Sequence, residues 1–304
     1  MAKLAYADAG AGGRPFLLVH GFTGAKEDFT EWLDRLAAEG WHAVAPDNRG
    51  HGASEKPDDE SQYTFDLLAT DLLELADGLW GSDASFVLLG HSMGGMVAQV
   101  LATRSPQRLV GLVLMDTLHG PLPIITREEL DLAKLVVREQ GINGLAEVLK
   151  ERGGKLDTPA HERVVRERPG YQEFMDRKFA DTAPAAYGAL LEAMFLATDR
   201  LESLRSLSMP TLVIAGEQDR PIVEPSMAMA TAIPGAELAV IPDAGHSPQF
   251  ENPNEWWDAL SPFLARVARG EGSMKLGTPS PKADRGRVPS TASDAPHLSE
   301  RTRS

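Results

Sequence analysis

Three side chains in this sequence have the types and the order needed to activate a hydroxyl for attack on a carbonyl: Ser92, Asp219 and His246. A serine hydroxyl is a weak nucleophile until a histidine removes its proton. That histidine in turn needs a carboxylate to fix its tautomer and stabilise the imidazolium. Ser92 lies in Gly90-His91-Ser92-Met93-Gly94, a G-x-S-x-G pattern that follows the apolar run Phe86–Leu89 and precedes residues with helical spacing. In that setting the pattern specifies a sharp strand-to-helix turn that lifts the serine Oγ off the sheet edge, with Gly90 and Gly94 small because side chains there would collide. A Gly-rich turn alone could equally bind phosphate or simply pack. The weight therefore falls on its partners.

The helix after Ser92 points its N-terminus at the serine, so the Met93 amide is expected to donate to a developing oxyanion. A second donor is expected from the early loop His20-Gly21-Phe22-Thr23-Gly24, where the Phe22 amide is the candidate. Asp219 follows the run Thr211–Ala215 through a short loop; Glu217 sits immediately beside the strand end, and Asp116, which ends Leu112–Met115, is a competing acid. His246 follows Leu238–Ile241 and a turn, which completes the order serine, acid, histidine. Of the eight histidines, His20, His51 and His91 belong to loop or elbow motifs, and His42, His119, His161 and His297 lack a strand-end partner arrangement.

Composition narrows the field. The chain of 304 residues has no cysteine, which excludes disulfides, thiolate zinc sites and a cysteine nucleophile. A formal charge of −14 argues against nucleic acid as a partner and suits a small, roughly neutral substrate. No run is long enough to span a bilayer, and Met1–Gly13 lacks a signal-peptide pattern, so a cytoplasmic protein without membrane insertion is expected. The chemistry requires no metal and no organic cofactor. No feature specifies an oligomeric state.

The elements that must hold these residues are short apolar runs at Phe16–His20, Trp41–Pro46, Phe86–Gly90, Leu109–Met115, Thr211–Ala215 and Leu238–Ile241, as expected of parallel strands buried on both faces. Helical spacing recurs at Glu27–Ala38, Phe65–Leu79, Met93–Thr103, Pro225–Ala232 and Glu255–Ala268. This alternation predicts an α/β fold with a mostly parallel, doubly wound sheet. Residues 120–207 break it with helical patterns only (Arg127–Gln140, Leu145–Lys150, Ala185–Ala197), which predicts a helical cap inserted into a sheet domain made of residues 1–119 and 208–270. In that cap Phe174, Met175, Phe179, Tyr187, Met194 and Phe195 could line an apolar acyl pocket, or could pack helix against helix. Residues 271–304 are poor in apolar side chains and are expected to be a disordered tail.

His20-Gly21-Phe22, Asp47–Gly52, Gly90–Gly95, Asp219 and Gly245-His246 together resemble the α/β-hydrolase superfamily over approximately Leu4–Arg266. Within it the chain is similar to the capped serine esterase, lactonase, haloperoxidase-like and carbon–carbon hydrolase group, in which the cap follows the sixth strand. The resemblance implies a serine hydrolase that cleaves a small carboxylic ester or lactone through an acyl-enzyme. Epoxide hydrolases and haloalkane dehalogenases share the layout but use an aspartate where this chain has Ser92. The Asp47–Gly52 motif is common in the group and is read here as a turn with an Arg49 ion pair. The sequence departs from the pattern in two places. The first strand is missing or vestigial, with Leu4–Ala7 as the early strand. Ser247 follows His246 where many carbon–carbon hydrolases carry tryptophan, which leaves ester or lactone hydrolysis ahead. Carbon–carbon cleavage of a dienoate-type substrate, perhydrolase or acyltransferase chemistry, and a non-turnover small-molecule receptor are the alternatives on the same fold.

Overall fold

A computed structural model of the protein describes residues 2–152 and 158–271. The apolar runs fold as β1 (Tyr6–Ala9), β2 (Arg14–Val19), β3 (Trp41–Pro46), β4 (Phe86–His91), β5 (Leu109–Met115), β6 (Thr211–Gly216) and β7 (Glu237–Ile241). They form one sheet in the order β1-β3-β2-β4-β5-β6-β7. Every pairing is parallel except β1 with β3. Strands β3, β4 and β6 are buried along their whole length, which is why their sequences are continuous rather than alternating.

The helices are α1 (Thr30–Ala38), α2 (Phe65–Trp80), α3 (Met93–Arg104), α4 (Arg127–Arg152), α5 (Pro159–Glu167), α6 (Tyr171–Ala180), α7 (Pro184–Phe195), α8 (Leu201–Leu204), α9 (Arg220–Ala232), α10 (Pro248–Glu251) and α11 (Pro253–Ala268). Successive side chains of a strand point to opposite faces. On β2, Phe16 and Leu18 accordingly join Trp32 and Leu36 of α1 and Trp256 and Phe263 of α11, whereas Leu17 and Val19 join Leu68 of α2 and Val97 of α3. The second of these clusters continues without a break into Leu130 and Val136 of α4 and Leu190 and Met194 of α7.

The chain runs from β2 outward to β3 and then crosses back to place β4 on the other side of β2. At such a reversal the loops leaving the carboxyl ends of adjacent strands diverge and leave a crevice. The loop after β2 and the turn after β4 are the two that carry Phe22 and Ser92.

Several sequence expectations shift in detail. The early strand is Tyr6–Ala9 rather than Leu4–Ala7, and the all-helical stretch enters after β5 of this sheet, the position that the resemblance counts as sixth because no strand precedes β1 among the described residues. Helix α9 begins five residues before the predicted Pro225, because Pro221 takes the first-turn position that a proline favours and Pro225 lies inside the helix. Helices α5 and α6 escaped notice because each buries only two side chains, too few for a legible period. Helix α4 is interrupted at Gly141 (φ 73°), between the two predicted helical patterns. Helix α8 packs on α3 and α9. The disordered tail expected from residue 271 lies, beyond Glu271, outside the described residues.

The Asp47–Gly52 turn is held by buried polar groups. Arg49 donates to both oxygens of Asp71, with Nη2 2.5 Å from Oδ1, and through Nη1 to the Gln62 carbonyl at 2.8 Å. Asp47 accepts from the Lys26 ammonium and amide, each at 2.8 Å, and from the Ala53 amide at 2.9 Å. Removing one partner of a buried pair strands the other charge, so Asp71→Asn is expected to cost about 3–5 kcal/mol. Urea denaturation should show this as a lower midpoint at unchanged m value.

Candidate active site

The turn at Ser92 is tight enough to dictate its neighbours. Ser92 has φ 53° and ψ −121°. A Cβ on Gly90 would stand 2.4 Å from the Gly94 carbonyl oxygen, and one on Gly94 would stand 2.5 Å from the His20 carbonyl oxygen. The helix start, the elbow and the end of β2 therefore touch through backbone. The Ser92 N–H donates to the Met115 carbonyl at 2.9 Å, and the Thr117 hydroxyl donates to the Ser92 carbonyl at 2.6 Å.

His246 Nε2 lies 2.9 Å from Ser92 Oγ, and its Nδ1 lies 2.6 Å from Asp219 Oδ2. An ionised carboxylate can only accept, so Nδ1 carries the proton and Nε2 of the neutral ring faces the serine hydroxyl as an acceptor. The ring is set from behind by its own backbone. His91 Nε2 is 2.7 Å from the His246 carbonyl, and Glu251 Oε2 accepts the Gly245 amide at 2.5 Å and the Ser247 amide at 3.3 Å. Burial disfavours a charged His246, but the Asp219 carboxylate, aided by Glu251, outweighs it and raises the pKa above the ordinary imidazole value. His91 is held neutral, its pKa lowered to about 3 by burial and by His246.

The rival acids make other bonds. Asp116 is fully buried beside Asp219 and bonds the Gly216 amide through Oδ1 at 2.8 Å. Glu217 is exposed and accepts the Asp243 amide at 3.2 Å. Asp116, Asp219 and His246 form the one cluster among the described residues with donor atoms close enough to share a metal ion. Two of those three donors are already engaged with each other.

Two buried imidazoles hold the loop after β2. His20 Nδ1 is 2.7 Å from the Gly21 carbonyl, and its Nε2 accepts the Asn48 amide at 2.9 Å. His51 Nε2 is 2.5 Å from the Phe22 carbonyl. In a trans peptide the C=O and N–H point in opposite directions. Fixing the Gly21 carbonyl on His20 therefore turns the Phe22 N–H away from His20. Among the described residues, neither the Phe22 nor the Met93 amide donates to a protein acceptor. Burial lowers the pKa of both rings, that of His20 to about 4 with His51 adding to the effect, so both are neutral at neutral pH.

A cavity of about 520 Å³ opens on this constellation, with Phe22, Ser92, Met93 and His246 in its lining. Its walls also include Phe179, Tyr187 and Met194, three of the cap residues singled out in the sequence. Phe174 and Phe195, named with them, lie outside it. Phe174 turns to Tyr171 and Phe250, with ring centroids 6.0 and 5.7 Å away, and Met175 packs into the same small cluster. Phe195 packs on the main core, off the helical stripe formed by Tyr187, Leu191 and Met194. Sequence reasoning missed the wall supplied by Leu122–Ile125 and by Val136 and Leu145 of α4, although the apolar spacing in Arg127–Lys150 was visible. It also missed Ile222, hidden in the unrecognised first turn of α9.

Comparison with known proteins agrees with this architecture. A model of the "Alpha/beta hydrolase family" matches residues 16–259. "Lipase 3" of Moraxella sp. (strain TA144) is 31% identical over 255 residues, spanning 82% of this chain and 77% of that protein. "3-oxoadipate enol-lactonase 2" of Acinetobacter baylyi is 29% identical over 267 residues, 86% of this chain and 93% of that protein. Among solved structures, a thermophilic esterase from Thermogutta terrifontis superposes with a TM-score of 0.75 at 33% identity, covering 88% of this chain and 94% of its own. The sheet order, the turn at Ser92 and a family match that spans most of the chain have one common meaning: this protein belongs to the alpha/beta hydrolase family.

Proposed function

We propose that the protein is a serine hydrolase that cleaves a small carboxylic ester or lactone through an acyl-enzyme, with Ser92 as nucleophile, His246 as base and Asp219 as its orienting acid. The observation that carries this reading is the unbroken chain Ser92 Oγ, His246, Asp219 at the mouth of an apolar cavity. His246 Nε2 takes the hydroxyl proton as Oγ bonds to the substrate carbonyl carbon, and the resulting oxyanion is held by the Phe22 and Met93 amides. His246 then passes the proton to the leaving oxygen as the ester C–O bond breaks. A water molecule repeats the sequence on the acyl-enzyme and releases the acid. The names of the lipase, enol-lactonase and esterase relatives support the reaction class.

Residues 120–207 act in this reading as the cap that completes the pocket over the sheet body formed by residues 1–119 and 208–270. Phe179, Tyr187 and Met194 serve as part of the acyl-binding wall.

The direct test is hydrolysis of a short-chain p-nitrophenyl ester. Ser92→Ala should abolish turnover while circular dichroism stays unchanged, and retained turnover would refute the nucleophile. Asp219→Asn should lower kcat by about 10⁴, the loss seen when a triad histidine is left in the wrong tautomer. His246 must be neutral to take the serine proton, so activity falls as pH drops through its pKa. Because Asp219 raises that pKa, the acid limb of kcat/KM should have its midpoint above the ordinary histidine value of about 6.5. A midpoint below that value would contradict the electrostatic account.

A further inference from the structure

One carboxyl group beside the hydrogen-bond chain takes no part in these steps. Asp116 follows the end of β5, is 0% exposed and has φ 44°, in the left-handed region that aspartate and asparagine tolerate best among residues with a side chain. Its N–H donates to the Ile214 carbonyl at 2.9 Å, and its Oδ1 accepts the Gly216 N–H at 2.8 Å. Its other oxygen, Oδ2, is buried with no hydrogen-bond partner. A carboxyl oxygen of Asp116, one of Asp219 and a ring nitrogen of His246 all lie within 4.8 Å of one another.

Two carboxylates buried that close do not both stay ionised, so one of them holds a proton. Asp219 is engaged as the acceptor of His246 Nδ1–H at 2.6 Å, and a proton there would remove the charge that orients the ring. The groups that face Asp116 are Asp219 from the loop after β6, His246 from the loop after β7 and Glu251 of α10; of these, only His246 can be cationic, and it already serves Asp219. As an anion, Asp116 would leave Oδ2 an unpaired buried acceptor. As an acid, Asp116 carries a donor, and the neighbouring Asp219 carboxylate is an acceptor that can satisfy it. Burial, and next the Asp219 charge, hold the Asp116 carboxyl well above the usual carboxylate range.

We propose that Asp116 is a neutral carboxylic acid that donates a hydrogen bond from Oδ2 to the Asp219 carboxylate, so that the two act as one carboxyl–carboxylate pair behind His246. Asp116 is then a positioning residue that acts on His246 only through Asp219. The bond restrains the Asp219 carboxylate and disperses its charge. Without it the carboxylate charge falls more fully on the bond to His246, which holds that ring in its protonated form to higher pH. This role rests on the triad reading above.

The test compares Asp116→Ala and Asp116→Asn in the full chain. Asp116→Ala removes the donor and should lower kcat about tenfold while moving the acid limb of kcat/KM upward by about half a pH unit. Asparagine can keep both bonds, its oxygen on the Gly216 amide and its NH₂ on Asp219. It should recover most of the lost kcat and return the limb toward its wild-type position. Infrared spectra at neutral pH should contain a protonated-carboxyl C=O band that Asp116→Asn removes. A limb that moves downward in Asp116→Asn, as loss of a negative charge would cause, overturns the proposal. An Asp116→Ala enzyme with wild-type kcat and limb does the same, and so does a carboxyl band unaffected by Asp116→Asn. Should the alanine variant fail to fold, the asparagine variant's limb and band decide. The band is independent of turnover: active Ser92→Ala enzyme would defeat the nucleophile reading whatever the band shows, whereas a missing band with inactive Ser92→Ala defeats only the role given to Asp116.

Discussion

A serine held at φ 53° is the constraint on which the rest of the site depends. Such a conformation costs on the order of 1–3 kcal/mol for a residue with a side chain, and it persists only where the surroundings over-determine it. Here Met115 accepts the Ser92 amide, the Thr117 hydroxyl and the Gly95 and Met96 amides donate to its carbonyl, and the glycines on either side admit no Cβ. The strain thus sits between the two central strands of the sheet and the start of α3. The Ser92 Oγ is held at a point set by these backbone contacts.

The same backbone contact links the elbow to the loop after β2. Gly94 approaches the His20 carbonyl, His20 holds the Gly21 carbonyl, and His51 of the Asp47–Gly52 turn holds the Phe22 carbonyl. That turn is itself fixed by the buried Arg49–Asp71 pair and the half-buried Lys26–Asp47 pair. A motif without any catalytic atom therefore sets the orientation of two consecutive peptide planes in the loop. Burial keeps His20, His51 and His91 neutral and raises the pKa of Asp116, whereas Asp219 raises that of His246. The site contains many ionisable groups, but few of them change state near neutrality.

The strand positions and the turn at Ser92 were legible in the sequence because each leaves a local mark. Buried strands read as uninterrupted apolar runs, and the elbow reads as glycines around Ser92. The separation of His246 from Ser92 by more than 150 residues was bridged only by the rule that both stand at strand ends. What stayed hidden depends on the phase of a helix against its neighbours. Phe174 and Phe179 lie in one short helix, yet the first faces Tyr171 and Phe250 and the second the cavity. Nothing within α6 marks the difference, since it is set by partners in α10 and α7. The state of Asp116 was equally unreadable, because it depends on a neighbour more than a hundred residues away.

Helices α4, α6 and α7 are not merely laid over the sheet. One apolar cluster runs from α2 and α3 through α4 and α7, and Ala183 donates to the Gly50 carbonyl at 2.8 Å. Lys178 of α6 forms a buried ion pair with Asp28, just after the Gly-rich loop. A desolvated pair of this kind adds little net stability, but it tolerates few alternative geometries. The Phe22 ring meets Tyr187 of α7 at a centroid distance of 4.7 Å. Phe22, whose amide is the proposed oxyanion donor, thus also packs on the wall of the pocket. A change in how α6 and α7 seat on the body would be felt at Phe22, so in the proposed mechanism pocket shape and oxyanion stabilisation are coupled through that residue.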